Sequence, residues 1–563
     1  MNMRRVLAMA MAGVMAVSAA AANVSVAWAD GETVVIKTAD DLAKAIDEQK
    51  PNQTWVLEKG EYVLGEKQLA VYSDWQNPGN SSQPGWYFPI HEEGITIQGN
   101  GATISSPVDK ENANWSTQDF ISVWSDNVKI DGLNIYCKEE MNKAIEVMSK
   151  NFTLTNTNIM PQDEENHEFS GSIFLNPTND DDSVGSVYIS NVTLSAWISA
   201  SYASEGNVVI ENTTLDFENN SYAGTPGYTL GIGDANGLVT IGENVTYLAD
   251  GNANLNEQIF GSALRSGVTV KLTSDVYLDK MLDINVDNVT LDLGGNTLTA
   301  SGEFGSTYEN DSHLVNVVAD GVTITNGSLV ATSDNKHVLN IFEADNVTIG
   351  NLTLDHTAGY KGAPLVVNSS DVVVDDELNL VLGDESWYGI NADKGSTSTE
   401  APSLTFKPGA VVTSNAEEKG KPVMAAEPEY VRNPENAGLK MTADGIFVSD
   451  PSVIPPYEED EKSERSTGDY FGNAKWAEVK REIAKLVANE KTGETIEMSA
   501  TGLPWFPASV ARDLKGHDIT LEVRKNGVTY SINGLRIGEI DKIWYEFDQI
   551  ETELLTVEVS EDK

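Results

Sequence analysis

The chain has almost no cysteine: Cys137 is the single one in 563 residues. No intrachain disulfide can form, so stability must come from packing. Positive charge is also scarce. Lys and Arg number 37 against 86 Asp and Glu, for a formal net charge of −49. Such a field repels nucleic acid and anionic lipid, keeps the protein in solution and attracts cations, divalent ones included. Histidines are few and scattered: His91, His167, His313, His337 and His356 precede the last hundred residues, and none is spaced as a metal-ligand pair. Each reads as a loop or strand residue. No P-loop or nucleotide-binding glycine pattern occurs. After the first 29 residues no stretch approaches 18 consecutive apolar residues, so no span is expected in the mature protein. Those 29 differ: Arg4 and Arg5, an apolar run from Val6 to Ala22, and Ala27–Trp28–Ala29 make a secretory signal peptide with its small-x-small cleavage site.

What the chain has in abundance is one short phrase, close to Asp-Asn/Gly-Val-x-Ile-x-Asn-x-x-Leu. It appears from Asp126 to Ile135, from Asp287 to Leu291, from Asp320 to Asn326 and from Asp345 to Asn351, and in shorter form around Leu154, Ile189 and Ile210. A recurring unit of roughly 20–25 residues with variable connections signals a solenoid. Each copy alternates apolar and polar residues and is rich in β-branched types, as in a strand with one face buried. Two positions after the central Ile or Leu stands Gly132, Asn156, Asn191, Asn212, Asn326 or Asn351. Gly and Asn are the residues that tolerate a left-handed backbone at a single position. The chain therefore turns a corner there and starts a second strand. Strand, corner, strand and loop, repeated in one direction, wind into a parallel β-helix, right-handed by the crossover rule. Asn residues at matching corners could stack as a ladder. The same pattern explains several matches to the N-glycosylation acceptor, at Asn191, Asn212, Asn288, Asn326, Asn346 and Asn351. They fall at corners or turns and read as backbone geometry.

Residues 30–55 read strand, helix, strand. Thr38 caps a helix with Leu42, Ala45 and Ile46 on its apolar stripe, a lid for the open end of the core. Phe260, Ala263 and Leu264 repeat that spacing, and Val268–Leu272 follows as Trp55–Leu57 does. We therefore expect a β-helix module at 30–250 and a second at 251–449, with one continuous coil carrying a helical insertion as the alternative. A Pro- and acid-rich linker follows at 450–472. At 473–563 the periodicity changes to helix (Trp476, Val479, Ile483, Val487), strand, short helix and a hairpin about Asn526–Gly527, a small α+β domain.

The opening helix and strand, the Val-x-Ile-x-Asn rungs and the phrase from Val289 to Leu298 resemble right-handed β-helix proteins of the pectate-lyase-like superfamily, over about residues 30–449. The tail, through Leu514–Leu521 and Gly527–Gly534, is similar to a small module of secreted and surface proteins of Gram-positive bacteria. The superfamily includes lyases, hydrolases, esterases, adhesins and tail spikes, so the resemblance implies a fold and leaves activity to the site. A calcium-dependent lyase needs carboxylates for Ca²⁺ and a base for the C5 proton, which in the resembling lyases is commonly Arg or Lys. Between 30 and 449 the arginines are Arg265 and Arg432, and Lys129 and Lys143 remain as bases. Asp180, Asp181 and Asp182 form the one triplet suited to Ca²⁺, against the plainer reading of a solvated loop. The polygalacturonase-like series of motifs is matched only by Asp181–Asp182 and lacks its Gly-His and Arg-Ile-Lys elements in the coil.

Sugars also bind without chemistry, by stacking on flat rings. Trp75, Trp86 and Tyr87, with Trp115 further on, are the candidate platform. The residues point to a secreted or envelope-associated protein whose partner is a polysaccharide or surface glycan, bound without catalysis. The other reading is a polysaccharide lyase or glycoside hydrolase acting on a complex glycan, acidic or neutral, uronic-acid-containing ones included.

Overall fold

A computed structural model of the chain describes residues 31–64, 88–105, 119–137, 143–161, 172–218, 230–261, 264–301, 313–395, 400–442, 446–449, 473–488, 491–499, 505–525, 528–538 and 544–555, with single positions between them. Two compact units are present, Met1–Tyr457 and Glu458–Lys563.

The first unit is a parallel β-helix whose coils each present three faces. The strand Thr153–Pro161 covers the first two, bending at Asn156 (φ 52°), and Ile173–Leu175 forms the third. The next coil repeats this with Ser183–Leu194, bent at Asn191 (φ 55°), and then Ile198–Ser199. Pairing between coils is parallel and in register: Ile130 lies opposite Leu154, Leu154 opposite Ile189, and Ile189 opposite Ile210. Further on, Leu291, Ile324 and Ile349 line up in the same way. All of these are fully buried, in one continuous core from Ile36 to Phe447. Each contributes roughly 1.5–3 kcal/mol. Among the described residues of this unit, the parallel order gives way at the end of the third face. There Met424–Ala426 and Leu439–Met441 both pair antiparallel with Ile446–Ser449.

The corners follow from side-chain chemistry. Asn191, Asn212, Asn288, Asn326, Asn346 and Asn351, the acceptor matches named above, all have positive φ, between 47° and 62°. Their amides form ladders along the coil. Asn156 Nδ2 donates to Asp131 and Asn191 Nδ2 to Asn156, both at 2.6 Å. Asn326 donates to Asp292 at 3.0 Å and Asn351 to Asn326 at 3.4 Å. A second ladder precedes each copy of the phrase. Asp287 accepts the Asp320 N–H and Asp320 the Asp345 N–H, at 3.0 and 2.8 Å. Asn326→Val should therefore destabilise the coil by about 1–3 kcal/mol, because a β-branched residue is strained at φ 62°. Asn326→Gly should lose less, since only the amide hydrogen bonds go. Urea unfolding of the two variants tests this; equal losses would mean that the backbone at this corner is unstrained.

The opening segment is a strand, Thr33–Ile36, then a helix, Ala39–Asp47, then Thr54–Leu57 paired parallel to the first strand. Thr38 and Asp41 form a reciprocal capping box, and Leu42, Ala45 and Ile46 are buried. The same order recurs at the centre of the coil: Val245–Ala249, a single wide helical turn at Leu255–Ile259, then Val268–Leu272 paired parallel to Val245–Ala249. The helical turn lies earlier than the spacing of Phe260 and Leu264 predicts. The Asn254 side chain accepts the Glu257 N–H at 3.2 Å and starts the turn there. Phe260 and Leu264 are buried just after it. Here the faces change partners. Thr214–Asp216, on the second face, pairs with Val245–Ala249, which leads through Val268–Leu272 to Thr290–Asp292 on the first face of the later coils. The earlier third-face sheet of six strands ends at Ile232–Gly233, and a separate eight-stranded one begins at Leu282–Ile284. The helical turn fills the interval, with the Leu230 N–H donating to the Gln258 carbonyl at 2.8 Å.

The second unit has its own core. Helix Asn473–Ala488 precedes strand Glu494–Ser499, which pairs parallel with Ile519–Lys525. Ile519–Lys525 and Val528–Asn533 form the antiparallel hairpin, Lys525 lying opposite Val528. Helix Ala508–Leu514 lies in sequence between Glu494–Ser499 and Ile519–Lys525. This is the α+β architecture that the change of periodicity predicts.

Candidate functional site

On the earlier third-face sheet Ile121, Ile145, Ile173 and Ile198 pair in one inward column. Side chains alternate along a strand, so Ser122, Glu146, Phe174 and Ser199, the next residue in each case, point away from the core. Lys143 opens the strand Lys143–Val147. Its ammonium lies 2.6 Å from Glu146 Oε1, with side-chain exposures of 16% and 5%. Asn176 Nδ2 donates to the same oxygen at 3.0 Å. The ammonium also sits 5.1 Å from the centre of the Phe174 ring. Phe174 in turn stacks on Tyr202 at 5.9 Å, and Tyr202 is 59% exposed. An ion pair taken out of water is seldom kept for stability alone, because desolvation offsets much of its attraction. Here it is combined with an exposed ring, a donor amide and a cation on the outside of the coil. These are the elements that bind a polar ligand with a flat face.

Lys143 thus lies beside Glu146 and the Phe174 ring, and the other basic candidates lie elsewhere. Lys129 lies on the first face between Thr96 and Thr153. Arg265 braces backbone, its guanidinium donating to the Leu264 and Asp234 carbonyls at 3.3 and 3.4 Å. Arg432 is exposed near the end of the sheet, opposite Thr405. Of the triplet, Asp180 and Asp181 lie in the turn before the strand Ser183–Leu194, and Asp182 follows with φ 47°. Asp181 pairs with Lys150 at 2.8 Å, and that hydrogen bond is the main reason its carboxyl is held below the usual range. Among the described residues no three His, Cys, Asp or Glu side chains gather to hold a metal ion. Trp75, Trp86, Tyr87 and Trp115 lie outside the described residues, as do residues 1–30 and His167. In sequence Trp75, Trp86 and Tyr87 precede Phe88–Ile90 and Trp115 precedes Asp119–Val123, two strands of the sheet that carries Glu146 and Phe174.

Two groupings escape a reading of the sequence by itself. Phe174 and Tyr202 lie in coils beyond that of Lys143, and only pairing brings them together. His313 and His337 stack at 5.2 Å because they occupy one register position on adjacent coils. Their separation of one coil length is the signal that could have found them. Cys137 is fully buried, and burial pushes its thiol pKa up, so it is inert.

The strand pairing defines the class: a parallel β-helix protein with a small α+β domain. No protein-family model and no curated protein matches the sequence. Among solved structures, the chain is similar to a mutant of the periplasmic alginate epimerase AlgG, at 9% sequence identity over 72% of this chain and 82% of that one, with a TM-score of 0.20. So low a score says nothing about activity. No helix among the described residues is long and apolar enough to cross a membrane.

Proposed function

We propose that this is a secreted or envelope-associated protein that binds carbohydrate, without catalysis, on the outer surface of its earlier third face. The observation that carries this reading is the Lys143–Glu146–Asn176 cluster beside the stacked Phe174 and exposed Tyr202. An aromatic ring takes the C–H face of a pyranose, and the partly exposed Lys143 ammonium supplies a donor for its hydroxyls, held in place from beneath by Glu146 and Asn176. Trp75, Trp86, Tyr87 and Trp115 extend the platform in this proposal, because their segments lead into the same sheet. Secretion rests on the signal-like first 29 residues.

The same pair favours one second reading, in which Lys143 takes a proton from a uronic-acid unit as a lyase base.

The test is a glycan panel with the full chain, with and without calcium, read for binding and for product. Calcium-dependent binding that Asp181→Asn abolishes would assign the metal to the Asp180–Asp182 turn. A product with an unsaturated sugar end would replace the binding reading with the lyase. Tyr202→Ala should weaken binding about tenfold or more while leaving the melting temperature unchanged, because the ring is exposed. Trp75→Ala should do the same. Unchanged affinity in both variants would overturn the aromatic platform.

A further inference from the structure

A second cluster lies in the later coils, in the turns that lead from the second face to the third. Three such turns, residues 332–336, 357–362 and 383–388, are stacked on successive coils. The Tyr360 N–H donates to the Asn335 carbonyl at 2.9 Å and the Trp387 N–H to the Gly362 carbonyl at 2.8 Å. His356, fully buried, ties the outer two turns together. Its Nε2 lies 2.9 Å from the Lys336 carbonyl, which can only accept, so Nε2 carries the proton. Nδ1 then accepts from the Ser386 hydroxyl at 2.7 Å, and that same oxygen accepts the Gly383 N–H at 2.9 Å. The stack is too close for a side chain at Gly362, where a Cβ would run into the Lys336 carbonyl.

This rigid base displays two rings and two cations. Trp387 is 47% exposed and Tyr360 42%. The Lys336 ammonium lies 5.8 Å from the Trp387 ring centre, and that of Lys361 lies 5.2 Å from the Tyr360 ring centre. A lysine lying over a ring can be no more than a stem covering apolar surface. Two features set this pair apart. Neither Lys336 nor Lys361 forms an ion pair among the described residues, in a chain with 86 acidic side chains. By contrast the nearby Lys419 is paired with Asp384 at 2.8 Å. In addition, the backbone beneath is locked by a buried histidine, so the turns that carry both rings and both lysines are held in place before any ligand arrives.

The geometry points to a binding site for a sugar ring that bears an anionic substituent, carboxylate or sulfate. The ring's C–H face lies on Trp387, and the anion takes the ammonium groups of Lys336 and Lys361. This rests on the reading that the coil binds glycans, and it adds a second site with its own ligand class.

Three probes separate the outcomes: a hyaluronan oligosaccharide, which carries carboxylates; 6-sulfated N-acetyllactosamine; and unsulfated N-acetyllactosamine. With the full chain, at least one anionic probe should bind tenfold or more tighter than the neutral one, and raising NaCl from about 50 to 500 mM should remove most of that preference. Whichever anionic probe binds names the substituent. Trp387→Ala should weaken that probe at least tenfold, and Lys336→Met with Lys361→Met should reduce it to the level of the neutral sugar. Both changes are on the surface, and unchanged melting would show that the fold is intact. Equal binding of neutral and anionic probes would overturn the site, as would affinities within twofold of the parent protein in both variants. If Tyr202→Ala abolishes binding while Trp387→Ala does not, the inference fails and the glycan reading stands. If the parent protein binds no glycan at all, both fall.

Discussion

Replacing Lys143 with Met should destabilise the coil by about 3–5 kcal/mol, the usual consequence of stranding a buried charge. Glu146 is 4% exposed, and its partners include the Lys143 ammonium at 2.6 Å and the Asn176 amide at 3.0 Å. Once the ammonium is gone, a carboxylate held out of water has lost its counter-charge, which hydrogen bonds to neutral groups do not replace. The protein must open locally, admit water or take up a proton. Adding Glu146→Gln to Lys143→Met should restore most of the loss, because an uncharged amide needs no counter-ion there. The measurement is urea unfolding of the parent, both single variants and the double variant near pH 7. A Lys143→Met protein within about 1 kcal/mol of the parent would mean that water already reaches Glu146. The pair would then rank with exposed surface bridges, which contribute about 0–1 kcal/mol.

The second large effect concerns acid. His337 lies opposite His313 on one side and Ala363 on the other, and its Nδ1 accepts the Ala363 N–H at 3.0 Å. A nitrogen that accepts carries no proton, so the ring is neutral. Burial first, and then the neighbouring His313, Lys336 and His356, push its pKa down to about 3. His356 is also lowered, chiefly by burial. In the unfolded chain a histidine titrates near 6.5. Above that pH the ring is neutral in both states and the fold keeps its full stability. As the pH falls from about 6.5 toward 3 the unfolded state binds the extra proton, and stability is lost. Between pH 7.5 and 4.5 His337 should account for a loss of about 2–3 kcal/mol. Some carboxylates act in the opposite direction. Burial, with Asp320 and Asp371 nearby, raises the pKa of Asp345, so acid relieves that ladder. The readout is therefore a difference: the parent should lose more stability over this range than His337→Gln does. Parallel pH curves for the two proteins would show that water reaches the His337 ring.

The coil was legible because its rules are local. The inward Ile130, Leu154, Ile189, Leu291, Ile324 and Ile349 and the left-handed Asn156, Asn191, Asn326 and Asn351 each declare themselves within about ten residues, through alternation and through a backbone shape that few side chains accept. The capping box at Thr38 and the hairpin after Lys525 are read the same way. The site was legible only in part. Lys143 stood out as one of few cations able to act as a base, yet nothing around it in the sequence points to Phe174 or Tyr202.

Taken alone, then, the sequence determined a stack of coils, each with two strands about an asparagine corner, and an α+β segment after the change of periodicity; the third strand of each coil, such as Ile173–Leu175, lies where the sequence reads as loop. Only the tertiary structure decided which side chains meet across coils. The steps between successive strands vary from 21 to 35 residues. Neighbours such as Glu146 and Phe174, or His313 and His337, are therefore set by pairing register and connection length rather than by any local pattern. The change of face at Val245–Leu272 belongs to the same category. It depends on which earlier strand Val268–Leu272 hydrogen-bonds to, and that choice lies in the packing of whole coils.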